Sequence, residues 1–190
     1  MKPKADIKAI LAEIQRRQLR TFCSLSEFLD EDCPGYLQPG RRGLYWIWTK
    51  LSFDQLGKIE TKSKTQQVPI EKLVHERRKL ANIASGKNEG GFWIVYNGIG
   101  GYKETTLSSR GLRGRILQEF TANNNRTGSL NLSGRSGRPY NEGDWAVSYF
   151  DFDDEKNSKF VEQNEIKYRD AKDLEMNWRI EYGTPILTRH

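Results

Sequence analysis

The chain has 190 residues, of which 36% are hydrophobic and 29% are charged, a balance typical of one globular domain with a large hydrated surface. Lysine and arginine outnumber the acids by 31 to 25, and the resulting net charge of +6 favours polyanionic partners such as nucleic acid. This composition excludes a disordered chain, and no apolar run reaches the ~18 residues that a membrane span requires.

The N-terminal part is predicted to be a helical extension, residues 1–42. Apolar residues recur at helical spacing over residues 6–19, and this helix either packs on the core or serves as an arm for a partner or DNA. Prolines, glycines and mixed charge in residues 30–42 indicate a linker. Cys23 and Cys33 lack the spacing of metal ligands, and no signal peptide is visible, so we expect free thiols and a cytoplasmic protein.

Three apolar segments predict the strands of the core. Residues 43–49 and 92–96 are nearly all aromatic and β-branched, as in strands buried on both faces, and a glycine-rich stretch at 97–101 ends the second. Residues 145–152 form a third strand. An insertion, residues 51–91, separates the first two and contains a helix that begins at Pro69.

Two further helices complete the predicted core. The first is capped by Ser109 and buries a stripe that includes Leu112 and Phe120, and a basic loop follows at residues 123–138. The second runs through residues 151–182 without a glycine or proline. The expected fold is α+β, a single domain over residues 1–190.

An α-helix turns about 100° per residue, and this rotation places Glu175 on the same inward face of the last helix as its apolar side chains. Since an unpaired buried carboxylate is prohibitively costly, Glu175 must face an arginine, a metal ion or a wet cleft. A structural salt bridge is an equally open interpretation.

Arg115 and Glu119 lie four residues apart at the edge of an apolar helix face, where they either form an ion pair or reach back to the preceding strand end. Tyr45 and Tyr96 each lie within two residues of a glycine at a strand end. They are either core tyrosines or part of a site where glycine lets a backbone or phosphate approach.

These segments, in this order, resemble the GIY-YIG nuclease superfamily. Gly43-Leu44-Tyr45 is similar to the first motif of that family and Tyr96-Asn97-Gly98 to the second. Leu112-Arg113-Gly114-Arg115 is similar to the arginine helix, and residues 171–182 to the glutamate helix. The resemblance implies a GIY-YIG-like core over residues 43–187, with a small mixed three-stranded sheet flanked by helices.

The resemblance also implies catalytic roles. Glu175 is expected to hold one divalent metal, Mg²⁺ or another such as Mn²⁺, and Arg115 to neutralise charge on the scissile phosphate. Tyr45 is expected to deprotonate or position the attacking water, and Tyr96 to orient that water or the phosphate. Glu119 stands where many members have histidine, and we expect it to replace that histidine as general base.

The chain departs from the family pattern in two further respects. The insertion at residues 51–91 is longer than usual, which suggests a specificity element. An asparagine often found beyond the glutamate helix is replaced by Leu187, Thr188 and His190.

We expect double-stranded DNA as the partner and, because both strands must be cut, a possible homodimer, with no membrane association. In the family that the chain resembles, such added elements are typical of restriction and homing endonucleases, whereas repair nucleases usually embed the core in longer chains. We favour a site-specific type II restriction endonuclease, with a homing or repair nuclease as the alternative. Basic residues of the helix that begins at Pro69 and is expected to end by Gly86, of the arginine helix and of the loop predict phosphate contacts. They are Arg77, Arg78, Lys79, Arg110, Arg113, Arg126, Arg135 and Arg138.

Two other interpretations stay open. Asp144 before a strand, with Glu165-Ile166-Lys167, is similar to the acidic and lysine pattern of PD-(D/E)xK nucleases. A non-catalytic nucleic-acid-binding module is the third possibility, with Glu175 in a purely structural pair with Arg115.

Overall fold

The computed structural model describes residues 6–33, 36–61, 68–101, 111–121, 129–138 and 140–188, with the backbone alone for Tyr168. The predicted cap Ser109, the phosphate contacts Arg110 and Arg126 and the terminal His190 lie outside these ranges.

One antiparallel sheet of four strands organises the described part of the chain, in the order β1-β4-β2-β3. The strands are β1 (Cys23–Ser24), β2 (Gly43–Thr49), β3 (Trp93–Gly100) and β4 (Trp145–Asp151). The predicted mixed, three-stranded sheet was therefore wrong. Strand β1 has only two residues, too few for a periodic pattern, and it forms by pairing with β4.

Strand β3 continues through the glycine-rich stretch that was expected to end it. Gly98 pairs with Tyr45 of β2, and Gly100 pairs with Gly43. A Cβ at Gly100 would lie 2.4 Å from the Cα of Leu112, so this glycine lets the helix that begins there approach the strand.

Seven α-helices surround the sheet among the described residues. They are α1 (Ile7–Leu19), α2 (Leu25–Leu29), α3 (Phe53–Leu56), α4 (Ile70–Arg77), α5 (Leu112–Thr121), α6 (Glu155–Gln163) and α7 (Ala171–Tyr182). The prediction of α1 is confirmed, and the Asp6 side chain caps it by accepting from the Lys8 amide. None of these helices is both long and apolar enough to span a membrane.

The predicted continuous helix over residues 151–182 was wrong, because α6 ends at Gln163 and α7 begins at Ala171. Between them Glu165 adopts a left-handed backbone with φ of 53°. An α-helix cannot continue through that conformation, although the residue type gives no warning of it.

The two faces of the sheet bury two separate cores, so all seven residues of β2 are buried. Tyr45 and Ile47 face α5, α2 and the predicted insertion, whose α3 and α4 contribute to the same core. Trp46 and Trp48 face α1 and α7. The insertion and the N-terminal segment are thus packed parts of the fold.

Candidate functional site

A cleft of about 590 Å³ lies along the outer edge of β3. Because β3 is an edge strand, α5 on one face of the sheet and α7 on the other both reach this cleft. Its lining side chains come from β3, α5, α7 and the segment after α7. They include Tyr96, Arg115, Lys172, Glu175, Met176, Arg179, Ile180 and Thr188.

Tyr45 lies directly behind Tyr96, with 6.1 Å between the two ring centroids. Its side chain is fully buried. A Cβ at Gly98 would lie 2.4 Å from the Tyr45 hydroxyl oxygen, so Gly98 makes room for the tyrosine of its own partner strand. The sequence pattern had suggested room for a phosphate or a backbone at this glycine.

Glu119, on α5, contacts Tyr45 and is fully buried. One carboxylate oxygen accepts a 2.8 Å hydrogen bond from the Tyr45 hydroxyl, and the other accepts one of 2.8 Å from the Leu130 amide. Arg115 lies 3.8 Å from the same carboxylate. Burial raises the pKa of Glu119, while the Leu130 amide, the Arg115 charge and the Tyr45 hydroxyl oppose that rise.

Burial also raises the pKa of Tyr45 and of Tyr96, and the negative charge of Glu119 raises both further. Arg115 acts in the opposite direction on each tyrosine. Neither phenolate forms readily here, so a tyrosine that takes a proton from water must pass its own proton on.

Glu175 lines the cleft from α7 in an ion pair with Arg179, with 2.5 Å between Oε1 and Nη2. The two side chains are only 12% and 13% exposed. Burial raises the pKa of Glu175, and the charge of Arg179 is the main opposing influence. Of the three predicted environments, the structure thus shows an arginine partner at a cleft, and that arginine is Arg179.

The sequence pattern gave no role to Arg179, and it named Asn97 only as part of the second motif. The Arg179 guanidinium donates a 2.9 Å hydrogen bond to the amide oxygen of Asn97, which is buried in β3. The Thr188 hydroxyl lies 3.4 Å from the same oxygen. Arg179 follows Glu175 by four residues, a spacing that could have revealed the pair.

Among the described residues that line the cleft, Glu175 is the one carboxylate that could bind a metal ion. Within the described ranges, no three His, Cys, Asp or Glu side chains come together in a group that could hold a metal ion. Mg²⁺ in phosphate-processing sites is commonly held by one or two carboxylates, with water and substrate phosphate completing its shell. Glu175 is a carboxylate of this kind, but its Oε1 is already paired with Arg179, so a metal ion bound there would have to share the carboxylate with that arginine.

Three of the predicted phosphate contacts are engaged within the fold. Arg113 is 6% exposed, donates to the Phe28 carbonyl and stacks 4.2 Å from the Tyr36 ring centroid. Arg135 donates to the carbonyls of Leu130 and Val68 and to the Thr61 hydroxyl. Arg138 forms a 2.8 Å ion pair with Asp144.

The basic residues around the end of α4 have two kinds of environment, one within the fold and one at the solvent surface. Arg77 donates to the carbonyls of Ile186 and Thr188 and so anchors the segment after α7. Arg78 is exposed and pairs with Asp54 at 3.0 Å, and Lys79 is exposed. Arg78 and Lys79 are the members of this group that face solvent.

The PD-(D/E)xK interpretation requires Asp144 to lie near Glu165 and Lys167. Within the described ranges, no contact brings these residues together. Asp144 is held by Arg138 at the start of β4. Glu165 and Lys167 are exposed in the turn between α6 and α7.

Comparisons with protein-family models, with curated proteins and with solved structures found no match.

Proposed function

We propose that this chain is a metal-dependent endonuclease of GIY-YIG type that hydrolyses phosphodiester bonds in double-stranded DNA. One observation carries the proposal. Tyr96, Arg115 and Glu175, which come from three separate elements, line one cleft, and the hydrogen-bonded pair of Tyr45 and Glu119 lies directly behind them. Their convergence gives nucleophile activation and phosphate binding a common location.

In this proposal the phosphate lies in the cleft with its charge against the guanidinium of Arg115, whose side chain is 32% exposed. A divalent ion at Glu175 would supply Lewis-acid charge and lower the pKa of a bound water. Arg115 acts on developing charge at the phosphate, where an oriented guanidinium is most effective away from bulk water.

The proton from the attacking water has a defined route through the chain's own residues. Tyr96 is the half-buried tyrosine at the cleft, and it positions the water and accepts its proton at Oη. As it does so it releases its own hydroxyl proton toward Tyr45, whose hydroxyl proton already points at Glu119. Glu119 is the final acceptor, the role in which many GIY-YIG nucleases use histidine.

A site-specific type II restriction endonuclease is the form of this activity we favour. The two inserted helices α3 and α4 belong to the folded core, so a DNA-reading element held on them has a fixed position relative to the cleft. Cutting of both strands then requires either a homodimer or two successive nicks.

A non-catalytic nucleic-acid-binding module is the second candidate, favoured by the Glu175–Arg179 pair, which satisfies the carboxylate without a metal. Supercoiled plasmid incubated with Mg²⁺, with Mn²⁺ and with EDTA separates the two. We expect nicked or linear DNA only with a divalent metal, and fragments whose mapped ends share one sequence. Intact plasmids of varied sequence under every metal condition would contradict the nuclease.

A further inference from the structure

The helix that carries Glu175 also exposes large apolar side chains. Met176 is 50% exposed and Ile180 is 72% exposed, the highest value among the large hydrophobic residues that the structure describes. They lie four residues apart, one turn above the other on the outer face of α7, and both line the cleft. Elsewhere on α7 the apolar side chains Ala171, Leu174 and Trp178 are buried.

Charge around this pair favours a polyanion as the occupant. Among the residues that the structure describes, the cleft lining contains the cations Arg115, Lys172 and Arg179 against the single carboxylate of Glu175. A second copy of the same face would bring these cations against one another, and like charges across an interface oppose association. A polyphosphate backbone complements them.

We propose that Met176 and Ile180 form an apolar wedge that enters a groove of duplex DNA and partly unstacks a base step beside the scissile phosphate. Isoleucine and methionine are among the side chains that wedge between base steps in DNA-distorting proteins. This inference rests on the proposed function, and it adds a way in which the DNA substrate is held beside the cleft. Lys172, one helical turn before Met176, contacts the backbone that flanks the opened step.

The wedge has a geometric purpose in the proposed reaction. Tyr96 is half-buried in the cleft at the edge of β3, and the Arg115 side chain beside it is 32% exposed. Unstacking a step bends DNA and brings its backbone closer to the protein surface. The two apolar side chains thus position the scissile phosphate without taking part in the chemistry.

A plasmid-relaxation experiment tests the wedge independently of cleavage. The full chain is bound to closed circular plasmid in EDTA, and the DNA is relaxed with a topoisomerase that needs no divalent metal. Partial unstacking unwinds the duplex, so the mean linking number after protein removal is expected to fall as protein is added. A mobility-shift titration on the same plasmid gives the concentration at which each variant reaches the same occupancy.

We expect the double variant Met176→Ala with Ile180→Ala to lose most of this linking-number shift at equal occupancy. Met176→Leu with Ile180→Leu retains an apolar wedge and is expected to keep the shift. Leu19→Ala removes an exposed apolar side chain of α1, 44% exposed, and serves as the matched control. Circular dichroism and thermal unfolding check that every variant is folded.

An unchanged linking number with the wild-type chain, or an equal shift with the double alanine variant, would overturn the wedge. So would a wild-type dimer in sedimentation that the double alanine variant dissociates, because the face would then bind a second copy. Cleavage is scored separately in Mg²⁺. A residue-dependent unwinding without any cleavage would refute the nuclease and leave the wedge standing.

Discussion

The Tyr45 hydroxyl donates a 2.8 Å hydrogen bond to the Glu119 carboxylate, and both side chains are fully buried. This bond joins the middle strand of the β4-β2-β3 row to α5, behind the tyrosine that lines the cleft. A buried acceptor and donor that satisfy each other stabilise the fold, and losing one partner leaves the other without a match. The bond therefore has consequences for stability as well as for proton transfer.

Replacing Tyr45 with phenylalanine removes the donor and keeps the ring. We expect the free energy of unfolding to fall by about 1 to 3 kcal/mol, because one Glu119 oxygen loses its hydrogen bond in the core. Urea unfolding at neutral pH measures the change. Tyr182→Phe on the half-buried end of α7 is the control, with an expected change within about 0.5 kcal/mol. An equal effect of the two substitutions would contradict the importance of the bond.

Gly98→Ala tests the space reserved for Tyr45. The new Cβ would lie 2.4 Å from the Tyr45 hydroxyl oxygen and 2.5 Å from Cζ, so the ring must move away from Glu119. We expect a loss of about 1 to 3 kcal/mol in the free energy of unfolding, together with a strong loss of cleavage. Gly86→Ala meets no heavy atom within 4 Å and should leave both unchanged. A stable, active Gly98→Ala variant would show that the tyrosine has more room than this.

Asp151 at the end of β4 is expected to make the free energy of unfolding depend on pH. Burial raises its pKa from 3.8 to about 6, against the opposing hydrogen bond from the Asp153 amide. Below 3.8 the folded and unfolded states both hold the proton, whereas between 3.8 and about 6 only the folded state keeps it. Rising pH therefore lowers the free energy of unfolding across this window, by on the order of 3 kcal/mol.

Asp151→Asn keeps the acceptor for the Asp153 amide and removes the titration. The difference in unfolding free energy between the variant and the wild type should then grow in the variant's favour from pH 4 to about pH 6. Chemical unfolding across this range measures it. The burial-raised pKa of Glu119 and of Glu175 affects both proteins alike and cancels in the difference. A difference that is constant with pH would contradict the assignment to Asp151.

Alanine substitutions at Arg113 and Lys79 distinguish an arginine that stabilises the fold from a lysine that faces solvent. Arg113→Ala removes a buried guanidinium that stacks on Tyr36 and bonds the Phe28 carbonyl, so we expect a loss of about 2 kcal/mol in unfolding free energy. Lys79→Ala should leave stability unchanged and reduce the slope of log affinity against log salt by about 1, if this lysine contacts a phosphate. The reverse pattern would show that Arg113 is the DNA contact.

The elements that carry strong apolar periodicity could be predicted from sequence. Strand β2, helix α1 and helix α5 lie within a few residues of their expected positions, because each buries an apolar stripe or a whole strand. The two-residue strand β1 and the break before α7 could not be predicted in this way. Each depends on a tertiary partner or on one backbone conformation at Glu165.

The residues that the motif order grouped lie close together in the fold. Tyr96, Arg115 and Glu175 line one cleft, and Tyr45 lies behind Tyr96. Whether they form a catalytic site stays a prediction. The spacing of four residues points to Arg179 as a partner for Glu175, but it does not exclude Arg115, since either arginine satisfies a buried carboxylate. Clusters of arginine likewise do not distinguish phosphate contacts from side chains that bind backbone carbonyls within the fold.

Cleavage by Glu175→Gln tests the central claim most directly, because this substitution keeps the shape of the side chain and removes the charge that would hold the metal. Glu181→Gln, on the same helix but paired with Lys8 away from the cleft, is the matched control. The measurement is the rate of supercoiled plasmid cleavage in Mg²⁺ under enzyme excess, with mobility shift in EDTA confirming that each variant still binds. We predict cleavage by the wild type and Glu181→Gln and none by Glu175→Gln, whereas full activity of Glu175→Gln would contradict the proposed site.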